Sequence, residues 1–306
     1  MAIEFAKVLN ELGKPFICIG RGGEKAEKFH AETKIKCTTG GLDEFLKSKP
    51  PLPEFVFVTV SVESLTSASR SLLKYGVMNM LVEKPGVSMP DEILELSKLA
   101  RQKKANVFIA YNRRFYASTI EAQKIIKEDG GVLSFAFEFT EWSHKIQDLK
   151  KHPIEHNYWF LGNSTHVIDT SFYLAGGLPK KLNTFVKGKD QLAWHPASSM
   201  YTGAGETVNG ALFSYHANWQ APGRWVIEIF TRRNRLIFKP LEKLQVQKLG
   251  SVEVNFAEGI DYTLDEKFKP GVFIQVRKFL DKDYKNLCTL QEQETSMRIY
   301  KKMSGY

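Results

Sequence analysis

Apolar positions in the first third of the chain follow two alternating periods. Met1–Leu12 spaces Ile3, Phe5, Ala6, Val8, Leu9 and Leu12 as one helical face, with Gly13 as a stop. Phe16–Ile19 then reads as a short strand, Glu24–Ala31 as a charged helix, Ile35–Thr38 as a brief strand and Leu42–Leu46 as a short helix. Phe55–Val60 is an unbroken apolar run, as expected of a strand buried on both faces. A helix over Ser64–Tyr75, a strand over Asn79–Val82, a helix over Asp91–Lys103 and a strand over Val107–Ala110 follow. This alternation predicts a doubly wound, Rossmann-like α/β domain with a parallel sheet.

The pattern changes after Phe115. A helix near Thr119–Lys127 leads into Val132–Thr140, where Leu133, Phe135, Phe137 and Phe139 alternate with other residues. Strands are expected at Asn183–Lys187, Val208–Trp219, Trp225–Phe230, Arg235–Phe238, Leu244–Lys248 and Val252–Phe256, and Gly203–Gly205 is read as loop. Strands in succession predict an α+β domain with a large, mostly antiparallel open sheet. Helices near Val272–Leu280 and Gln291–Lys302 close the chain. The expected division is 1–114 for the dinucleotide-binding domain and 115–306 for a substrate-binding and oligomerisation domain.

Composition narrows the class. With 306 residues, 43% hydrophobic and 25% charged, the chain can build two cores. Glu4, Lys7 and Glu11 interrupt the N-terminal apolar residues, so no signal-peptide core is read there, and no apolar run is long enough to span a membrane. The reading is therefore cytoplasmic. Cys18, Cys37 and Cys288 lack metal-ligand spacing, and His144, His152 and His156 show no regular ligand pattern. No metal is expected. The net charge of +9 is spread along the chain without a basic stripe, which argues against nucleic acid and leaves a mild field favourable to a phosphate-bearing cofactor or an anionic substrate.

Three segments carry candidate chemistry. The strand Asn79–Val82 delivers Glu83-Lys84-Pro85 to the carboxyl end of the parallel sheet, where such folds bind ligands. Tyr111-Asn112-Arg113-Arg114-Phe115 leaves the last parallel strand. Asn163-Ser164-Thr165 supplies N-cap residues to an amphipathic helix, putting His166 in its first turn, where the helix dipole favours neutral imidazole. Asp169, three residues on, shares that face and can orient the ring. Each segment alone also reads blandly, as a solvated lysine, a basic hinge and a core histidine. Trp142, His144, His156, Tyr158, Trp159, Trp194, His195 and Trp219 offer sugar-stacking faces, although most are expected to be packing residues.

Taken together, the Glu-Lys-Pro triplet, the Tyr-Asn-Arg-Arg-Phe exit and the His-x-x-Asp helix resemble the glucose-fructose oxidoreductase / inositol dehydrogenase family (Gfo/Idh/MocA). The resemblance implies NAD(P)-dependent hydride transfer at a carbinol or ketone carbon of a sugar-like substrate. It casts Lys84 as the group on the reacting oxygen and His166 as its acid/base partner. Arg21, Ser61, Glu83, Lys84, Asn112 and Arg113 are the cofactor-side candidates. Lys84, Asn163, His166, Asp169 and Trp142 are the substrate-side ones. A homo-oligomer formed through the second-domain sheet is also implied.

Two departures stand out. Many members of the family have aspartate four residues before the histidine, and here that position is Gly162. The family also opens with a strand and a Gly-x-Gly-x-x-Gly turn, whereas this sequence opens on the helix that should follow them. The natural reading frame is therefore expected to start upstream of Met1. If the chain is complete, weak or absent dinucleotide binding is expected. Without the central strand, Phe16–Ile19 and Phe55–Val60 each lose a hydrogen-bonded neighbour. Arg21, after the second strand of the family's order, suits a 2′-phosphate and tilts the cofactor toward NADP over NAD. The alternatives are an imine or tetrapyrrole-type reductase on the same scaffold, or a catalytically silent binding protein.

Overall fold

The computed structural model describes all 306 residues. The chain divides into two compact units, Met1–Asn112 with Thr263–Glu294, and Arg113–Tyr262 with Thr295–Tyr306.

The first unit begins with α1 (Ala2–Glu11), β1 (Cys18–Ile19), α2 (Glu24–Thr33), β2 (Cys37–Thr38) and α3 (Leu42–Lys47). It continues through β3 (Val56–Val58), α4 (Leu65–Tyr75), β4 (Asn79–Val82), α5 (Glu92–Lys103) and β5 (Asn106–Ile109). β3, β4 and β5 are parallel neighbours. β1 and β2 form a separate parallel pair. The parallel sheet is thus in two pieces, and β1 and β3 each have one strand neighbour, as the sequence led us to expect. Both strands are shorter than their apolar runs, and the unpaired edge explains this: a residue without ladder bonds on one side has less to hold it extended. Ile17 is 68% exposed and Val60 39%, although both belong to apolar runs.

The second unit contains α6 (Ala117–Glu128), β6 (Ser134–Glu138), α7 (Ser143–Ile146), α8 (Pro153–Asn157) and α9 (Thr165–Leu174). Then come β7 (Pro179–Lys187), β8 (Met200–Thr207), β9 (Leu212–Asn218), β10 (Val226–Phe230), β11 (Asn234–Phe238), β12 (Gln245–Lys248) and β13 (Asn255–Phe256). These eight strands form one sheet in the order β13-β12-β11-β10-β6-β9-β8-β7. All neighbours are antiparallel except β6 and β9. Phe135, Phe137 and Phe213 line the face covered by α9, where Phe172 meets each ring edge-on. Such pairs add about 0.5–1.5 kcal/mol each beyond the area they bury.

Gly203 and Gly205 lie inside β8, not in a loop. A Cβ at Gly203 would stand 2.6 Å from the Tyr215 ring, and one at Gly205 2.8 Å from the Phe213 ring. The glycines let two aromatic side chains of β9 lie flat across β8, a packing use that resembles a turn signal in sequence.

The chain then returns to the first unit with α10 (Thr263–Lys267), α11 (Val272–Leu280) and β14 (Cys288–Thr289), which pairs antiparallel with β5. Phe279 of α11 packs against Phe55, Phe57 and Phe108, so this returning helix covers part of the parallel sheet. The last helix, α12 (Leu290–Ser304), has residues in both units. No helix is long and apolar enough to cross a membrane.

Candidate functional site

In the first unit the candidate residues gather at the carboxyl ends of the parallel strands. Arg21 follows β1, Ser61 follows β3, Glu83 and Lys84 follow β4, and Asn112 follows β5. The Glu83 amide donates to the Val58 carbonyl and the Ala110 amide to the Val82 carbonyl, so the strand carrying Lys84 is held from both sides to its end. The Lys84–Pro85 peptide is cis. Gly86 has φ +92°, and a Cβ there would sit 2.5 Å from Ile109 Cδ1, so only glycine suits the close approach of this turn to β5.

Glu83 is buried, and one of its carboxylate oxygens has no hydrogen-bond partner. Burial pushes its pKa up from the usual carboxylate value. The charges of Lys84, the N-terminal amine and Lys269, with the Lys84 backbone amide, pull the other way. Asn112 is tied down, its side-chain amide donating to the Pro270 carbonyl at 2.9 Å. Arg21 is well exposed, donates to the Ser64 hydroxyl at 3.1 Å and stands 3.7 Å from Glu63. Ser61 donates to the Glu63 carboxylate. An exposed guanidinium held by one hydroxyl and a distant carboxylate remains available to an added phosphate.

The cysteines are closer than their spacing suggests. Cys18 and Cys37 are register partners on β1 and β2, with Sγ atoms 3.2 Å apart. Burial, then the contact with Cys37, pushes the Cys18 thiol up to about 12, so it remains protonated and unreactive near neutrality.

In the second unit His166 is buried at the start of α9. The capping expectation does not hold there. A π-helical turn, Phe160–Ser164, runs straight into α9, and no side chain caps it. His166 therefore sits within a continuing helical run, and the dipole of a free N-terminus does not apply to it in simple form. Nor is α9 amphipathic, since all its residues except Tyr173 are buried. Two of its hydroxyls are satisfied locally: Thr170 donates to the His166 carbonyl and Ser171 to the Val167 carbonyl. Both oxygens of Asp169 are taken by Arg114, at 2.8 and 2.5 Å.

Around His166 the structure assembles residues that lie far apart in sequence. The Trp225 ring is 6.3 Å from the His166 ring. The guanidinium carbons of Arg113 and Arg224 lie 4.8 and 4.5 Å from the Trp225 ring centroid, and that of Arg224 is also 4.6 Å from the Trp142 ring. Glu141 is buried and accepts from Asn163 at 3.0 Å and Ser164 at 2.8 Å, with Arg224 at 3.8 Å. The candidates Trp142, Asn163, His166 and Arg113 are thus neighbours of one group, whose other members, Glu141, Arg224 and Trp225, were missed. The only sequence signal for them was an acidic residue closing a strand and an Arg-Trp pair opening one.

The remaining aromatic candidates pack. His195 is fully buried among Trp194, Trp219 and Tyr201, and its Nδ1 donates to the His156 carbonyl at 2.6 Å. Trp219 donates to the Phe139 carbonyl.

Residues 10–111 match the model of the oxidoreductase family with an NAD-binding Rossmann fold, GFO_IDH_MocA. No curated protein matches the chain in sequence. Among solved structures, levoglucosan dehydrogenase in complex with NADH and levoglucosan superposes with a TM-score of 0.76 at 17% identity, over 99% of this chain and 92% of that one. UDP-N-acetylglucosamine 3-dehydrogenase GnnA from Acidithiobacillus ferrooxidans gives 0.74 at 14% identity, over 99% and 93%. The super-repressor mutant of Gal80p from Saccharomyces cerevisiae gives 0.73 at 14% identity, over 97% and 89%. Identities of this size carry the fold, and one fold hosts several functions. Residues 10–111 thus match the NAD-binding Rossmann domain of the Gfo/Idh/MocA oxidoreductases, and the chain as a whole has the fold of the dehydrogenases it resembles, a Rossmann domain joined to a large, mostly antiparallel sheet domain.

Proposed function

We propose that the chain is an NAD(P)-dependent oxidoreductase acting on a secondary alcohol, or the matching ketone, of a sugar-like substrate. The observation that carries this reading is the position of Lys84: it is the second residue after β4, the strand that lies between β3 and β5, at the end of the sheet where ligands meet parallel strands. The family match of the same segment and the sugar substrates of the solved dehydrogenases support it.

The nicotinamide, when bound, supplies or accepts the hydride. On the protein side, Lys84 holds the reacting oxygen and stabilises the negative charge that grows as its proton leaves. His166 takes that proton in oxidation and returns it in reduction. Asn163 and Trp142 offer a hydroxyl partner and a ring face to the sugar. Asp169, paired with Arg114, fixes the helix that carries His166. Arg21, Ser61, Glu83 and Asn112 stand on the cofactor side, and Arg21 favours NADP over NAD. A second copy of the chain pairs with the outer face of the eight-stranded sheet, where Phe185 and Leu212 are 70% and 61% exposed.

A second reading, a non-catalytic sugar or protein binder, is favoured by Gly162 and by the likeness to a repressor. Incubating the chain with NAD or NADP and a panel of sugars and cyclitols, while following nicotinamide absorbance, separates the two. Reduction of cofactor by at least one alcohol, lost in His166→Ala, is the expected result. Binding of sugars without any turnover supports the silent reading instead.

A further inference from the structure

We propose that the substrate carries an anionic group, a carboxylate or a phosphate, and that Arg113 receives it beside Trp225. The inference rests on the oxidoreductase reading for the word substrate, but the site stands on its own geometry.

Arg113 and Arg114 are adjacent and differently employed. Arg114 spends its guanidinium on both oxygens of Asp169. Arg113 has no carboxylate within ion-pair distance, and its Nε is fully buried without an acceptor. Only the ring faces of Trp225, at 4.8 Å, and Tyr116, at 5.7 Å, meet its charge. Such contacts return about 0.5–2 kcal/mol; Arg113 is only partly buried, so what they leave uncompensated is the dry Nε–H, an unsatisfied donor that costs about 1–3 kcal/mol. Desolvation accordingly pulls the Arg113 pKa down, against the more distant carboxylates Glu141 and Glu242. A planar oxyanion is the ligand that makes good this deficit, because the guanidinium fork matches it with two parallel hydrogen bonds.

The surroundings agree. Arg224 shares Trp225 and is about half-exposed, so a second guanidinium lies at the same indole with a way to solvent. Its nearest carboxylate, Glu141, is already engaged by Asn163 and Ser164. His166 borders the same indole. An anion on Arg113 would therefore anchor a sugar one indole away from the proposed acid/base group. Arg113, which the family resemblance sets near the cofactor, is assigned here to the substrate.

The test is calorimetric binding of D-glucuronate, D-glucose 6-phosphate and D-glucose to the full chain, with and without NADH. The expected result is at least about tenfold tighter binding of one anionic sugar than of glucose, or about 1.4 kcal/mol. Whether glucuronate or the phosphate wins identifies the anion. Arg113→Met, which keeps the stem against Trp225, should abolish the preference and leave NADH affinity unchanged. Arg113→Lys, which keeps the charge and loses the fork, should retain only part of it, and it decides the matter if the methionine variant does not fold. Equal binding of all three sugars overturns the inference. So does a loss of NADH affinity in place of sugar affinity. An anion preference in a chain that oxidises no alcohol would sink the oxidoreductase reading alone, whereas turnover of neutral sugars without that preference would sink this inference alone.

Discussion

The side-chain amide of Gln293 donates to the carbonyl of Pro85 at 2.8 Å and to the hydroxyl of Tyr111 at 3.1 Å. A residue more than two hundred positions downstream thus holds the turn that follows Lys84. Gln293 is fully buried, so Gln293→Leu strands the Pro85 carbonyl and should cost about 1–3 kcal/mol in urea unfolding. If the turn positions Lys84, the same variant lowers kcat while leaving the KM for the sugar nearly unchanged. A stability loss with unaltered kcat would limit Gln293 to a structural role.

Arg114 and Asp169 form a buried bidentate pair with side chains 4% and 3% exposed. Asp169→Asn leaves a buried guanidinium short of its counter-charge and should cost about 3–5 kcal/mol, whereas replacing both partners by Met and Leu should recover most of that loss. Denaturant melts of the two single variants and the double variant check this. A single-variant loss below about 1 kcal/mol would mean that the pair behaves like an exposed one.

Much of this layout was legible in the sequence, and the exceptions have physical reasons. Strand Asn79–Val82 matched its apolar run residue for residue because neighbours on both sides hold it to its ends. Phe16–Ile19 and Phe55–Val60 were overread because an apolar run does not record a missing neighbour. Gly203 and Gly205 misled because close packing and turns both call for glycine. The candidate site was half visible. Lys84 and His166 stand in recognisable motifs, while Glu141, Arg224 and Trp225 reach His166 only through sheet register, which one sequence does not display. The return of Thr263–Glu294 to the first unit has no compositional mark at all.

Gly162 has space around it: no atom lies within 4 Å of a Cβ built there, and its φ is not positive. Gly162→Asp should therefore fold normally, with stability within about 0.5 kcal/mol of wild type, because Asp and Gly differ little in helix propensity. By placing at this position the carboxylate that the family resemblance leads one to expect, it should raise turnover about tenfold, below the usual range for a placed acid/base group. Thermal melts and initial rates test the two parts separately. A folded variant with unchanged or lower turnover would show that this chain does not need a carboxylate there.

Glu83 links the stability of the first unit to pH. Its folded pKa is raised above 4.5, chiefly by burial. The folded state therefore holds the proton more tightly than the unfolded chain does. The stability that goes with this is fully present below pH 4.5 and is lost as pH rises through the folded value. Glu83→Gln should flatten this fall in unfolding free energy between acid and neutral pH. Parallel slopes for the two proteins would contradict it.

The central claim is that Lys84 acts on the reacting oxygen. Its most direct test is the rate of cofactor reduction by wild type and Lys84→Met on one accepted sugar, with cofactor and sugar both saturating. The account predicts a loss of about 100-fold or more in kcat, with the fold intact by circular dichroism. Turnover by Lys84→Met at the wild-type rate would contradict it.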